Sequence, residues 1–241
     1  MKPLKVYMAI VFALFSYGVF AQKNADSAAI VINNYLGRLN HETLNWKTAK
    51  VNSIITNNID SDTIIMERRF AFPNYSFVTL TRKGSVIEGL FSNGKEYLQY
   101  DAKAKAWVVL PKERYEKIIE GYDIRGPLFN WENRYVKATY LGISTFEGNK
   151  VFVLTVFDPE RNPRNYLFEC LSGNLFLIVE QPLEKQNSDS PAVDWRAIHE
   201  YIPLGTYLFP ALESYQSGNT ITVIRSQIEI LPFDEKDYKR P

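Results

Sequence analysis

Short turn signals separate strand-length segments along most of the chain, and this pattern constrains the fold more than any other feature. Within the segments, apolar residues alternate with polar ones, as at Ile224, Ile228 and Ile230 near the C-terminus. A period of two is typical of strands joined by hairpins. The spacing leaves no room for the helices of βαβ units, so it predicts about eleven to thirteen antiparallel strands. The turn signals are Arg82-Lys83-Gly84, Asn93-Gly94, Gly148-Asn149, Ser172-Gly173-Asn174 and Gly218-Asn219.

Two segments depart from the period of two and predict helices. In Asn24–Asn40 the apolar residues recur at helical spacing, and Asp26 and Ser27 are candidates for the N-cap. Pro111–Glu120 opens with a proline and predicts a short amphipathic helix that ends at Gly121. The apolar stripe of the first helix consists of Ile32, Tyr35, Leu36 and Leu39.

The sheet that this pattern predicts is too long to stay flat. An antiparallel sheet of this length twists and curls, and its concave face needs cover. We therefore expect a mainly β (α+β) fold, with a single curved antiparallel sheet or incomplete β-barrel, an N-terminal helix and a short helical lid covering the concave face. Two helices are too few to fill such a hollow, so an apolar cavity follows. No repeat or interior linker divides residues 22–241, and we expect one domain there.

The N-terminus predicts export. Two lysines precede an uncharged apolar run from Val6 to Phe20, and Val19 and Ala21 fit the positions before a signal-peptidase cut. We predict a cleaved Sec-type signal peptide over residues 1–21, and a soluble periplasmic protein without a membrane span. The alternative is an anchored transmembrane helix, but a run of about 15 residues is shorter than the roughly 20 that a bilayer needs.

Composition excludes several classes of function. The 28 Lys+Arg and 27 Asp+Glu residues give a formal net charge of +1, without the basic excess that is typical of nucleic-acid binding. The single cysteine, Cys170, excludes an intramolecular disulfide, and its alternation with Tyr166 and Phe168 predicts a core position; a reactive thiol is the alternative. The sequence has two histidines and none of the motifs GxSxG, GxGxxG, GK[ST] and HExxH. We therefore expect no enzyme activity, no cofactor and no metal site.

Arg68 interrupts an otherwise apolar strand face formed by Ile64, Met66, Phe70 and Phe72. In one interpretation the stem of this arginine packs at the end of the strand while its head reaches water. In the other, Arg68 is a cation at the mouth of an apolar hollow and contacts an anionic or carbonyl-bearing head group.

The order of parts resembles that of the LolA-like family, the periplasmic carriers that sort outer-membrane lipoproteins. Pro73-Asn74-Tyr75 resembles the family's proline–asparagine turn, and Ser92-Asn93-Gly94-Lys95 followed by Tyr100-Asp101 resembles its next hairpin. Phe72 stands where LolA members carry an arginine immediately before the turn, and the nearest arginine on that strand face is Arg68. Motifs similar to the Bacteroidetes branch of this superfamily are Gly126-Pro127-Leu128, Tyr140-Leu141-Gly142, the segment from Glu147 to Val151, and the segment from Ile228 to Pro241.

The resemblance implies a carrier that performs no bond chemistry. A chain of about 14 methylenes prefers burial by on the order of 11 kcal/mol, so an acylated cargo needs a water-excluding hollow to cross an aqueous compartment. The implied partners are acyl chains of lipoproteins or lipids, and a handover protein at the inner or outer membrane. The alternative is an envelope-assembly or protein-interaction factor of the same fold with a filled cavity.

The implied site combines a cavity, a lid and a head-group contact. Arg68 is the candidate for the head-group contact, and the short helix together with Gly126–Trp131 is the candidate for the lid. For each cavity residue, ordinary core packing is the alternative role. The candidates for the cavity lining are Phe70, Phe72, Tyr75, Phe77, Leu98, Tyr100, Ile118, Phe129 and Trp131.

Overall fold

The computed structural model describes residues 24–40, 44, 47–132, 137–157, 163–180 and 194–241. The predicted signal peptide at residues 1–21 lies outside these residues. The chain divides into two compact units. One contains the residues up to Tyr35 together with Asn130–Trp195, and the other contains Leu36–Phe129 together with Arg196–Pro241.

The described residues form thirteen strands and two α-helices, which confirms the predicted fold class. All strand pairs whose register is resolved are antiparallel. The strands belong to one sheet in the order β6-β5-β4-β3-β2-β1-β13-β12-β11-β10-β9-β8-β7, so β6 and β7 are its two edges and the sheet is not closed. The elements are α1 (Asn24–Leu39), β1 (Lys47–Asn57), β2 (Ile64–Ala71), β3 (Tyr75–Arg82), β4 (Ser85–Asn93), β5 (Tyr97–Asp101), β6 (Ala106–Val109), α2 (Lys112–Ile119), β7 (Lys137–Phe146), β8 (Asn149–Phe157), β9 (Arg164–Glu169), β10 (Leu175–Glu180), β11 (Trp195–Leu204), β12 (Tyr207–Ser217) and β13 (Thr220–Pro232).

Two of the predicted hairpin turns are stabilised in different ways, one by the backbone conformation and one by a side chain. Lys83 and Gly84 both have positive φ, at 50° and 77°, which is the conformation that a tight turn between β3 and β4 requires. Asn93 acts differently, since its Oδ1 atom accepts hydrogen bonds from the backbone N–H groups of Lys95 (3.0 Å) and Glu96 (2.9 Å). The predicted Asn93-Gly94 hairpin is therefore a longer turn than two residues, stabilised by the asparagine side chain.

In the first unit, α1 supplies a buried stripe and β7–β10 supply a sheet. Ile32 and Tyr35 are buried on α1, as predicted, and the ring of Tyr35 contacts that of Phe168 edge to face at 5.4 Å between centroids. Cys170 lies just beyond β9 and is half-buried, so the prediction of a core position is met only in part. Burial raises the pKa of its thiol above the ordinary value, which disfavours the thiolate.

The second unit contains β1–β6, α2 and β11–β13. The first and last strands of this unit pair with each other, since Val51 of β1 lies opposite Ile228 of β13. The predicted short helix is confirmed as α2, with Pro111 at its N-cap. A 3₁₀ turn at Glu120–Tyr122 follows it directly. Among the described residues, no helix has the length and hydropathy of a membrane span.

Candidate functional site

The side chains of β2 alternate between the two faces of the sheet in the second unit. Residues on one side, here called the Arg68 face, include Arg68 and Phe70; Arg68 lies opposite Val51 of β1 and Val78 of β3. Residues on the other side, here called the Phe77 face, include Arg69, which lies opposite Phe77. The cross-strand register extends both faces over the neighbouring strands, because side chains of paired residues point to the same side.

The Phe77 face is a packed apolar cluster. Its buried members are Ala71, Phe91, Leu98 and Tyr238, and Tyr75, Phe77, Trp107 and Phe233 pack against them. The C-terminal segment covers this face, since the rings of Phe233 and Tyr238 lie 4.9 and 5.2 Å from that of Tyr75.

The predicted cavity residues do not lie together. Phe70 and Phe72 stack on the Arg68 face at 5.5 Å between ring centroids. Phe77, Leu98 and Tyr100 belong to the Phe77 face and cannot line the same hollow. The reason is the turn at Pro73-Asn74: Ala71 pairs with Tyr75, so even-numbered residues of β3 continue the face of Phe70. The prediction that all nine line one cavity is therefore wrong.

The remaining predicted residues have separate positions. Tyr75 borders a pocket on the Arg68 face while its ring packs with Phe233 on the other face. Ile118 of α2 and Phe129 are both half-buried. Trp131 is half-buried and belongs to the other compact unit.

The helix α2 lies on the Arg68 face and is held there by one buried side chain. The hydroxyl group of Tyr115 hydrogen-bonds that of Ser76 at 2.6 Å, and its ring contacts that of Tyr97 at 5.2 Å between centroids. Ser76 lies opposite Phe70, which fixes the side of the sheet. Burial raises the pKa of Tyr115 to about 12, so its hydroxyl group stays neutral in physiological conditions.

A pocket of about 170 Å³ lies between α2 and the Arg68 face. Phe70, Phe72, Tyr115 and Arg125 are among its lining residues. A cavity of about 150 Å³ is known to hold a benzene molecule. This pocket therefore has room for a group of that size and not for a full acyl chain.

Arg125 fixes the segment that follows α2. Its guanidinium group makes a bidentate ion pair with Asp123 (2.9 and 2.6 Å) and lies between the rings of Phe72 and Phe129, at 3.9 and 3.7 Å from their centroids. A hydrogen bond of 2.8 Å from the hydroxyl group of Tyr207 to the carbonyl oxygen of Ile124 holds the same segment. Sequence reasoning missed Arg125, because nothing in the local pattern indicates that the ring of Phe72, distant in the sequence, lies against it together with that of Phe129.

Arg68 is half-buried on its face, with its head group held by the protein rather than extended into water. It donates to the carbonyl oxygen of Tyr122 (3.5 Å) and to Oγ of Ser53 (3.2 Å), and its buried Nε has no hydrogen-bond partner among the described residues. Burial lowers the pKa of the guanidinium group. The hydroxyl group of Tyr122 donates to Glu88 at 2.6 Å, so the 3₁₀ turn is attached to the sheet at two points.

A second arginine lies on the same face with its own carboxylate. Arg196 of β11 makes an ion pair with Glu213, which is 5% exposed, and its guanidinium group lies 5.2 Å from the centroid of the Tyr215 ring. Ser53 and Ser226 share a buried hydrogen bond of 2.7 Å nearby on β1 and β13. Glu213 could have been found from the sequence, because it interrupts the apolar alternation of Tyr207, Phe209 and Ala211 just as Arg68 interrupts its own strand face.

An open groove of about 980 Å³ borders the second half of β13. The paired residues of β12 and β13 run from Leu212 opposite Arg225 to Ser217 opposite Thr220. The part of β13 that borders the groove lies beyond these pairs. Of the groove residues, Ile228 and Ile230 point to the Arg68 face. The groove is lined by Lys47, Leu204, Gly205 and the consecutive residues from Ile228 to Phe233.

The groove and the pocket are connected by two cross-strand rows on the Arg68 face. One row is Arg68, Val51 and Ile228, and the other is Phe70, Ala49 and Ile230. Ala49 and Val51 are fully buried. Adjacent strands are about 4.8 Å apart, so each row spans about 10 Å.

Among the described residues, no group of three or more His, Cys, Asp or Glu side chains could hold a metal ion.

Comparison with known proteins yields one sequence relative of limited extent. No family model matches the chain. An uncharacterized protein of Methanocaldococcus jannaschii, MJ0687, is 26% identical over 184 residues, which is 70% of this chain. The match covers 48% of that protein, so the chain spans about half the length of the curated relative.

Solved structures establish the fold. A DUF1329 family protein from Desulfovibrio piger has a TM-score of 0.62 at 7% identity, and the match covers 90% of this chain and 97% of that one. A putative outer membrane lipoprotein-sorting protein domain from Vibrio parahaemolyticus has a TM-score of 0.60 at 11% identity, with coverages of 90% and 97%. A LolA superfamily protein from Nitrosomonas europaea, NE2245, has a TM-score of 0.58 at 7% identity, with coverages of 88% and 97%.

These likenesses confirm that the chain has a LolA-like fold. At this level of identity they concern the fold alone. The similarity to the Bacteroidetes branch stays a prediction.

Proposed function

We propose that this chain is a periplasmic carrier that shelters the acyl chains of a lipid or lipoprotein on its Arg68 face, without bond chemistry. The main support is an arrangement on one face: the groove beside Ile228 and Ile230 and the pocket beside Phe70 lie along the same cross-strand rows, which pass through the buried Ala49 and Val51. The LolA-like fold agrees with this role, since one of its structural neighbours is a putative lipoprotein-sorting domain.

In this proposal the acyl chain lies in the groove and its head group reaches Arg68. The groove of about 980 Å³ is much larger than the pocket under α2. Burying an acyl chain gains about 0.8 kcal/mol per methylene, which is the driving force for binding. Of the predicted lining residues, Phe70, Phe72 and Tyr75 border the pocket and keep a cavity role.

We further propose that α2 and the segment to Phe129 act as a lid. Tyr115 is the one buried residue of α2 and attaches the helix to the sheet. The pocket below α2 is too small for an acyl chain. Entry of a chain into that pocket therefore requires displacement of α2, which few contacts oppose. Phe129 and Ile118 are then lid residues rather than cavity walls.

Export, a single mature domain over residues 22–241 and handover to a membrane-bound acceptor are parts of the same proposal. A carrier of this kind would release its cargo to an acceptor that binds the acyl chains more tightly.

A filled-cavity factor that binds a protein is the second candidate. The observation that favours it is the small volume under α2. Such a protein would bind no acyl chain, either in the groove or in the pocket under α2.

The two functions predict different ligands bound to the purified protein. The full chain, expressed with its own N-terminus in a bacterium with two membranes and recovered from the periplasm, is examined by native mass spectrometry and lipid extraction. The carrier predicts a bound acyl species and displacement of a fluorescent fatty acid by added lipid. Absence of any acyl species, with no binding of the fluorescent fatty acid, would favour the filled-cavity factor.

A further inference from the structure

Arg68, Arg125 and Arg196 contact the Arg68 face, as does Arg82 opposite Ile64, and all of them except Arg68 have a carboxylate partner. Arg125 pairs with Asp123, and Arg196 pairs with Glu213. Among the described residues, Arg68 has no carboxylate within ion-pair distance. Its hydrogen-bond partners are two neutral oxygens, on Tyr122 and Ser53, and its Nε has none.

The resulting charge balance is positive. The charge of Glu213 is the main one that compensates Arg68, while the charge of Arg196 acts against it. Since Glu213 is already in an ion pair with Arg196, the group of Arg68, Arg196 and Glu213 carries one surplus positive charge. A buried charge without a partner is costly, and a charge-assisted hydrogen bond to an anion is the most effective compensation.

The position of Arg68 connects this charge with the acyl groove. Arg68, Val51 and Ile228 form one cross-strand row, and Ile228 lines the groove. Val51 is fully buried, so an acyl chain that extends along this row must displace what covers Val51; its polar end then lies about 10 Å from Ile228, at the guanidinium group.

We propose that this face selects acyl cargo with a negatively charged oxygen head group, such as a carboxylate or a phosphate, over neutral cargo of the same chain length. The selection rests on the proposed function, since it requires that acyl chains bind here. Arg68 is the specificity-determining residue, and the anion takes the place that no carboxylate of the described chain occupies.

The test compares ligands that differ only in the head group. A fluorescent fatty acid is displaced from the wild-type protein by a fatty acid, by an alkyl phosphate and by the fatty alcohol of the same chain length. We expect both anionic ligands to bind at least about tenfold more tightly than the alcohol. A preference for only one of the two anions identifies which source supplies the head group.

Three variants assign the selection to Arg68. In Arg68→Met the affinity for the acid should fall to that for the alcohol, while the affinity for the alcohol is unchanged. Arg68→Lys should keep part of the preference, because it keeps the charge. Arg69→Met is the matched control: Arg69 is adjacent on the same strand, points to the Phe77 face and is already paired with Glu67, so the preference should stay.

The possible failures are distinguishable. Equal binding of acid and alcohol by the wild-type protein would overturn the selection and leave the carrier function intact. An equal loss of both ligands in Arg68→Met and Arg68→Lys, with normal urea unfolding, would also overturn it, since Arg68 would then shape the site rather than select the charge. Failure of every acyl compound to bind would overturn the carrier function, and the selection with it.

Discussion

The two faces of β2 carry different kinds of chemistry in the same stretch of sequence. On the Phe77 face, Phe91 and Leu98 are fully buried, and the C-terminal segment covers them with aromatic rings. On the Arg68 face, buried hydroxyl groups and charges lie among apolar residues, under a short helix with one buried side chain. The difference indicates that the Phe77 face mainly stabilises the fold, whereas the Arg68 face buries polar groups at a cost in stability, which agrees with the binding site proposed there.

The largest expected effect is on the packed face. Phe91→Ala removes a fully buried ring and should lower the free energy of unfolding by about 4 kcal/mol. Because Phe91 points away from the proposed site, the affinity for a fluorescent fatty acid, measured below the new unfolding temperature, should stay unchanged. A loss of affinity in folded protein would contradict the division of roles between the faces.

Removing the compensating carboxylate tests the Arg68 face. Glu213→Gln leaves the half-buried Arg196 without this ion pair and should lower the free energy of unfolding by about 2 kcal/mol. The same change increases the surplus positive charge, so the affinity for a fatty acid should rise while that for the fatty alcohol stays constant. Urea unfolding and fluorescent-probe displacement measure the two effects, and a fall in fatty-acid affinity would argue against an electrostatic role for this group.

The attachment of α2 offers a smaller test. Tyr115→Phe removes the hydrogen bond to Ser76 and should destabilise the protein by about 1 kcal/mol. If α2 is a lid, stopped-flow measurements should show faster association of the fluorescent fatty acid, because the closed state is weakened. Tyr100→Phe serves as the control, since Tyr100 packs against Trp107 on the opposite face. Unchanged association in Tyr115→Phe would oppose the lid role.

The smallest expected effect on stability near neutral pH comes from three buried tyrosines. Burial raises the pKa of Tyr115, Tyr215 and Tyr238 from 10.0 to about 12, so folding favours their neutral form. The stability that this gives is fully present below about pH 10 and is lost as the pH rises through about 12. Urea midpoints should therefore stay constant with respect to these groups between pH 7 and pH 9 and fall above pH 10. Replacing Tyr238 with phenylalanine should reduce that alkaline fall.

Local patterns predicted the elements well because strands, turns and short helices depend on nearby residues. The period of two and the turn signals predicted the antiparallel meander, and Pro111 marked the start of α2. The assignment of side chains to faces failed across Pro73-Asn74. There the pairing of Ala71 with Tyr75 depends on the length of the turn, which the alternation of residues does not encode.

The polar part of the candidate site gives a sequence signal where an unusual residue type interrupts a pattern. Arg68 was found because it is a cation on an apolar strand face, and Glu213 carries the same kind of signal on β12. Arg125 and Tyr122 act through partners that are distant in sequence, on Phe72 and Glu88 respectively. Contacts of this kind follow from tertiary structure, so a single sequence does not contain them in readable form.

Photochemical labelling can locate an acyl chain bound on the Arg68 face. A fatty acid that carries a photoreactive group in its chain is bound to the full protein, irradiated, and located by mass spectrometry of peptides. We expect adducts at Phe70, Phe72, Ile228 or Ile230 that unlabelled fatty acid suppresses. Suppressible adducts at Tyr100 or Trp107 on the Phe77 face, or no suppressible adduct, would contradict this expectation.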